Sequence, residues 1–179
     1  MRVALLVLLF SLGISAEAQE VELSLLDMLA LSAYRNPSDA MEPTVHAGEI
    51  IYVNARGFQS SRVKPGDVIA YRSASPTSTL LVKRAIALSG STVQFRRWKL
   101  LVDDKEVTEP YVNPDNVMST SSFEWGPVTV KNDCVFVLAD NRDRGYDSRT
   151  QGCVPSSEIV GIVEYVAPAA TPQKARLVK

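Results

Sequence analysis

Two kinds of hydrophobic pattern divide the chain. Residues 3–15, "VALLVLLFSLGIS", are apolar almost throughout, behind a short "MR" start and ahead of "AEAQ". From residue 45 onward, short apolar runs alternate with turn residues. "EIIYVNA", "DVIAYRS", "TLLVKRAIAL", "STVQFRR", "KLLVDDKEV", "GPVTV", "CVFVLAD" and "EIVGIVEYV" are rich in Val, Ile, Tyr and Phe, as strands are. "KPGD", "SPTS", "DDKE" and "DNRDRGYDS" punctuate them as turns. No segment after residue 35 keeps a helical period over a helix length. The pattern therefore predicts a mostly β domain with a long loop around 109–125. Residues 20–34, "EVELSLLDMLALSAY", predict one short helix with Leu25, Leu26, Leu29 and Ala33 on one side. That side either packs on the domain or lies at a membrane surface. The tail "APAATPQKARLVK" has no apolar period and predicts a mobile end.

The N-terminus adds a destination. A positive start, an apolar run and small residues at 16 and 18 have the layout of a secretory signal segment. The run is shorter than the roughly 20 residues that cross a bilayer comfortably. A cleaved signal and a short uncleaved anchor both fit, and either takes the rest of the chain out of the cytosol. The expected organisation is a signal or anchor at 1–18, a juxtamembrane helix at 19–34, the domain at 35–166 and a flexible tail at 167–179.

Composition narrows the chemistry. With 46% apolar and 22% charged residues over 179 positions, the chain has ordinary globular content for one domain. A net charge of −1 and the lack of a basic stripe with interleaved aromatics argue against nucleic acid as a partner. One histidine and two cysteines exclude a multi-ligand zinc site. Neither GxGxxG nor GxxxxGK occurs, and no cofactor is expected. Cys134 and Cys153 flank the polar "ADNRDRGYDSRTQ" stretch. Antiparallel flanking strands would bring them together as a disulfide in an oxidising compartment; two free thiols are the alternative.

Three segments carry candidate chemistry. In "NPSDAMEPTV" (36–45), Pro37 and Pro43 restrict the backbone on either side of "SDAMEPT", as suits a rigid substrate-facing loop. Ser38, Asp39 and Thr44 serve equally well as turn formers that bond their own backbone. In "LLVKRAIAL", alternation puts Leu81, Lys83, Ala85 and Ala87 on one face, with Val82, Arg84, Ile86 and Leu88 on the other. Apolar neighbours disfavour the Lys83 ammonium and lower its pKa from about 10.4. A neutral amine can act as a general base; the plain alternative is an edge-strand lysine reaching to water. "LADNRDRGYDSRTQGCVP" is too polar for a strand interior, and its Asp147 and Arg149 can pair to brace a loop.

In this order the segments resemble the type I signal peptidases, membrane-associated serine proteases that remove secretory signal peptides. Their P-S-x-S-M-x-P-T motif aligns with Pro37, Ser38, Asp39, Ala40, Met41, Glu42, Pro43 and Thr44. Their G-D pair aligns with Gly66 and Asp67, and their K-R strand with Lys83, Arg84 and Gly90. Their G-D-N-R-D-x-S-x-D-S-R-x-x-G-x-V-P segment aligns with Asp140, Asn141, Arg142, Asp143, Asp147, Ser148, Arg149, Gly152, Val154 and Pro155. The resemblance runs over residues 35–166.

It implies a signal-peptidase-like, folded antiparallel β-sheet domain with a short N-terminal helix or anchor. It implies endoproteolysis after small residues by a Ser/Lys dyad. Lys83 falls at the general base, and Ser38 at an oxyanion-hole donor beside the backbone N–H of residue 40. Met41 falls at a substrate contact, and Asp147 and Arg149 at a bracing pair. Implied partners are signal peptides of secretory preproteins and the membrane surface, with the domain on the extracytoplasmic (periplasmic) side.

Two positions depart from the pattern. The nucleophile position is Ala40, and the second serine, which hydrogen-bonds the lysine, is Gly145. Ala139 in place of glycine is a milder change. Losing a nucleophile in a comparable hydrolase costs about a millionfold in turnover. Ser38 could replace it only by giving up an oxyanion donor, and Thr44 only along a different backbone path. The chain is thus expected to bind better than it cuts, either as an impaired signal peptidase or as an inactive paralogue that binds signal peptides or regulates processing. A deliberate knock-out needs one change; a naturally degenerate chain accounts for both.

Overall fold

A computed structural model describes residues 20–73, 80–114 and 123–178. The expected signal or anchor at 1–18, the "SPTS" turn and most of the 109–125 loop's second half lie outside the described residues.

The chain runs β1 (Glu20–Glu22), α1 (Leu25–Ala30), β2 (Ser32–Arg35), β3 (Ile50–Asn54), β4 (Val68–Arg72) and β5 (Leu80–Leu88). It continues through β6 (Thr92–Arg96), β7 (Lys99–Val102), β8 (Lys105–Glu106), β9 (Glu124–Thr129) and β10 (Cys134–Leu138). It ends with α2 (Ser148–Gln151), β11 (Val154–Pro155), β12 (Ile159–Ala167) and β13 (Lys174–Leu177). The fold is mostly β, and every strand pairing is antiparallel.

Nine strands form one sheet with the path β1-β13-β12-β4-β5-β10-β11, and β2 and β3 join it through β12. Ile162 pairs with Ile69 of β4 and Asn54 of β3, so those strands flank β12 on opposite edges. The sheet wraps around a core of Val45, Ile51, Val53, Val68, Val82 and Val163. A second sheet, β8-β7-β6-β9, lays Phe95 and Leu100 against Ile86, Phe136 and Leu138.

Three expectations need correction. The helix is six residues rather than the whole of 19–34. Ser24 starts it with a capping box to Asp27, and Leu31 returns to extended backbone ahead of β2. Leu25, Leu26 and Leu29 are 73%, 78% and 63% exposed, so this side does not pack on the domain. The tail is not mobile where it was expected to be: β13 pairs with both β1 and β12, and Ala175 is buried beside Leu23, Tyr52 and Ala167. One buried residue in a four-residue strand leaves no period to read. The third concerns β5, whose alternation breaks at Ile86. Phe136 pairs with Ala87 and Val137 with Ala85, so Ile86 is bulged out of register. Beyond it Ala87 and Leu88 exchange faces, with Ala87 joining the cluster of Ile86 and Leu88 that of Ala85. Among the described residues no helix is long and apolar enough to cross a membrane.

Cys134 and Cys153 form a disulfide with their Cα atoms 5.7 Å apart. It closes the base of the polar loop between β10 and β11.

Candidate active site

The loop at 36–46 is shaped by its first residue. Asn36 is buried and donates from Nδ2 to the carbonyls of Ser38 (2.7 Å) and His46 (3.0 Å). Its Oδ1 accepts the Ser38 N–H at 3.3 Å. One amide thus ties both ends of the loop together. Its centre turns inward: Ala40 is 4% and Met41 1% exposed, and Met41 packs with Val45 and Val82 in the core. Met41 therefore backs the loop from the core side.

Asp140 joins this loop to β5. Its Oδ1 accepts from Arg84 Nε at 2.9 Å and its Oδ2 from Arg84 Nη2 at 2.7 Å. Thr44 Oγ1 donates to the same Oδ2 and accepts from Arg84 Nη2 at 3.2 Å. Arg84 Nη1 donates to the Gly66 carbonyl at 2.7 Å, and its guanidinium lies 3.8 Å from the Tyr111 ring centre. Arginine and carboxylate are 1% and 0% exposed, and such a pair is tolerated only when its remaining groups are also bonded. Here the network bonds four segments at once.

The neighbouring backbone closes the connection. Asn141 N–H donates to the Ala40 carbonyl at 3.0 Å, and Asn141 Nδ2 to the Asp39 carbonyl at 3.3 Å. Asn141 Oδ1 is buried with no partner among the described residues. From the far side, Arg176 Nη2 of β13 donates to the Thr44 carbonyl and to Glu49 Oε2, each at 3.0 Å.

Lys83 sits next to Arg84 on the opposite face of β5. It is 5% exposed, and its Nζ donates to the Val82 carbonyl at 3.0 Å. Burial pushes its pKa below the ordinary 10.5, while the charges of Asp147 and Asp140 pull the other way and do not cancel the effect. Burial thus makes this amine easier to deprotonate than a lysine in water.

Asp147 and Arg149 form a two-point pair, Nε to Oδ1 at 2.9 Å and Nη2 to Oδ2 at 2.8 Å. Asp147 also accepts the Ala139 N–H at 3.1 Å and the Arg149 N–H at 3.1 Å, which starts α2. Arg142 is held by the Ala139 carbonyl and by Glu109. Gly145 lies inside this braced loop.

Ser38 is exposed, and its Oγ accepts the Ala40 N–H at 3.1 Å. The two expected oxyanion donors are thus bonded to each other, with the Ser38 hydroxyl retaining its own proton for a second partner. No cluster of His, Cys, Asp and Glu that could hold a metal occurs among the described residues.

Sequence reasoning missed the Arg84–Asp140–Thr44 network, the Arg142–Glu109 pair and the Arg176 brace. A signal for the first was present: alternation had placed Arg84 among Val82 and Ile86, and a buried guanidinium demands an anion. Nothing in the sequence points from residue 176 to residue 44.

Comparisons with known proteins show the family. A family model for signal peptidase, peptidase S26, matches residues 7–167. The chain belongs to this family. Signal peptidase I of Bacillus amyloliquefaciens is 34% identical over 134 residues, covering 72% of this chain and 71% of that one. Signal peptidase I of Leptolyngbya laminosa is 31% identical over 135 residues, 70% of this chain and 63% of the relative. The match thus spans somewhat under two thirds of the latter's length. A signal peptidase I structure from Enterococcus faecalis V583 superposes at a TM-score of 0.49 with 28% identity, covering 57% of this chain and 97% of that chain.

Proposed function

We propose that this chain binds signal peptides of secretory preproteins as a type I signal peptidase does, on the extracytoplasmic side of a membrane, with its cleavage step disabled at Ala40. The observation that carries this reading is the buried Ala40 methyl at the centre of an otherwise complete loop. The loop is tied to Asp140 and Arg84, one residue along β5 from a buried lysine. In a Ser/Lys mechanism the lysine amine takes the proton from the serine hydroxyl as that oxygen attacks the peptide carbonyl. Lys83 supplies the base position; Ala40 supplies no hydroxyl. Ser38 holds the Ala40 N–H in the resting loop, and a bound carbonyl would have to replace it as acceptor for the oxyanion site to act.

The test compares the unchanged chain with Ala40→Ser on a signal-peptide substrate in detergent. The expected result is binding by both and cleavage after small residues by the variant alone. Equal cutting by the unchanged chain would refute the disabling role of Ala40. Adding Lys83→Met to the serine variant is expected to abolish cleavage; retained activity would remove Lys83 as base.

A further inference from the structure

Ala139 and Gly145, both departures from the family pattern, meet in space. A Cβ on Gly145 would lie 2.2 Å from Ala139 Cβ, 3.0 Å from Asp147 Oδ2 and 3.5 Å from Ala139 Cα. Non-bonded carbons prefer about 3.5–4.0 Å, so one methyl group shuts every side chain out of position 145. That methyl has little freedom to move. Ala139 is fully buried, its N–H donates to Asp147 and its carbonyl accepts from Arg142 Nε at 2.9 Å. Asp147 is in turn clamped by Arg149. Removing the Ala139 methyl deletes the 2.2 Å contact and leaves an ordinary 3.5 Å contact with Ala139 Cα and the 3.0 Å approach to Asp147 Oδ2, which needs to give by only a few tenths of an ångström.

We propose that Ala139 and Gly145 form a mutually exclusive pair: the methyl at 139 fills the place of a side chain at 145, so a hydroxyl can stand at 145 only when 139 is glycine. The two departures are one exchange. The loop has been repacked around the loss, and filling position 145 alone does not reverse it. For catalysis, which rests on the reading of Lys83 given above, residue 145 becomes a positioning residue whose hydroxyl orients the Lys83 amine. In the present chain that amine is bonded to the Val82 carbonyl.

The packing half is tested without any activity. Unchanged chain, Ala139→Gly, Gly145→Ser and the double variant are compared by thermal unfolding, all with Ala40 in place. Gly145→Ser alone is expected to lower Tm by roughly 5 °C, as overpacking does in a domain of this size, and Ala139→Gly to recover most of that loss. Failure of Gly145→Ser to fold, with recovery in the double variant, is the same result in stronger form. An unshifted Tm for Gly145→Ser, or a deficit that Ala139→Gly does not relieve, overturns the pairing. The catalytic half uses the same changes on the Ala40→Ser background. The triple variant is expected to exceed Ala40→Ser at least tenfold in kcat/KM and to shift the acid limb of its pH profile, whereas Gly145→Ser without Ala139→Gly lowers kcat/KM. Equal gains with and without Ala139→Gly overturn the pairing a second way. Coupling in Tm with no cleavage by any serine variant overturns the protease reading and leaves the pairing standing.

Discussion

The Arg84–Asp140 network and the Ala40 and Gly145 positions lie in one site but have different kinds of support. In the network, an arginine and a carboxylate without solvent are bonded to each other, to Thr44 and to the Gly66 carbonyl. At Ala40 and Gly145 the loops carry a methyl group and no side chain, respectively, where the resemblance to the signal peptidases leads one to expect serines. The difference follows from what each part contributes to folding. An unpaired buried charge is expensive, so the network must be whole for the domain to stand. A missing hydroxyl exposes no charge and leaves no donor stranded. On the proposed reading, a frame of this type outlasts a lost hydroxyl because stability maintains it.

The sharpest way to break the comparison is Arg84→Met, which leaves Asp140 buried without its cation. A loss of about 3–5 kcal/mol is expected, read from the urea midpoint; a loss under about 1 kcal/mol would mean the network is dispensable. Next comes the joint change Cys134→Ser with Cys153→Ser, which frees the loop holding Gly145. Its expected cost is about 3 kcal/mol for a closed loop of this length, absent when both proteins are compared under reducing conditions. Arg176→Ala should cost only about 1 kcal/mol, the size of an ordinary hydrogen-bond loss. It should also raise amide exchange at Val45 and Gly48, which tests whether the brace acts on the loop; unchanged exchange there would remove that role.

The smallest effect concerns pH. Burial lowers the Lys83 pKa in the folded chain, so the unfolded chain binds more protons between that lowered value and the ordinary 10.5. Stability therefore gains from Lys83 as pH rises through this window and loses as it falls. Lys83→Met should flatten that rise in pH-dependent denaturation; parallel curves would show that the amine pays no burial penalty.

These effects also mark what was legible in the chain. Strands β3 to β7, β9, β10 and β12 were readable because apolar runs bounded by turn residues report burial directly. The family was readable because its motifs are largely frame: Asp140, Asp147 and Arg149 match the pattern, although position 40 carries alanine in place of the motif's serine. The bulge at Ile86 was hidden, since a register shift depends on the partner strand. Gly145 read as a lost hydroxyl, whereas its contact with Ala139 links residues six apart through a fold the sequence does not display. Strand β13 was hidden because a four-residue strand takes its identity from its neighbours.

That last strand sets an order of events. Arg176 lies 132 residues beyond the Thr44 carbonyl it grips. At ribosomal speeds of about 5–20 residues per second the loop exists for roughly 7–26 s before its outer brace has been made. Until β13 has been made and has paired with β1 and β12, the loop stands without this brace. The outer support of the loop therefore waits on a strand 132 residues downstream.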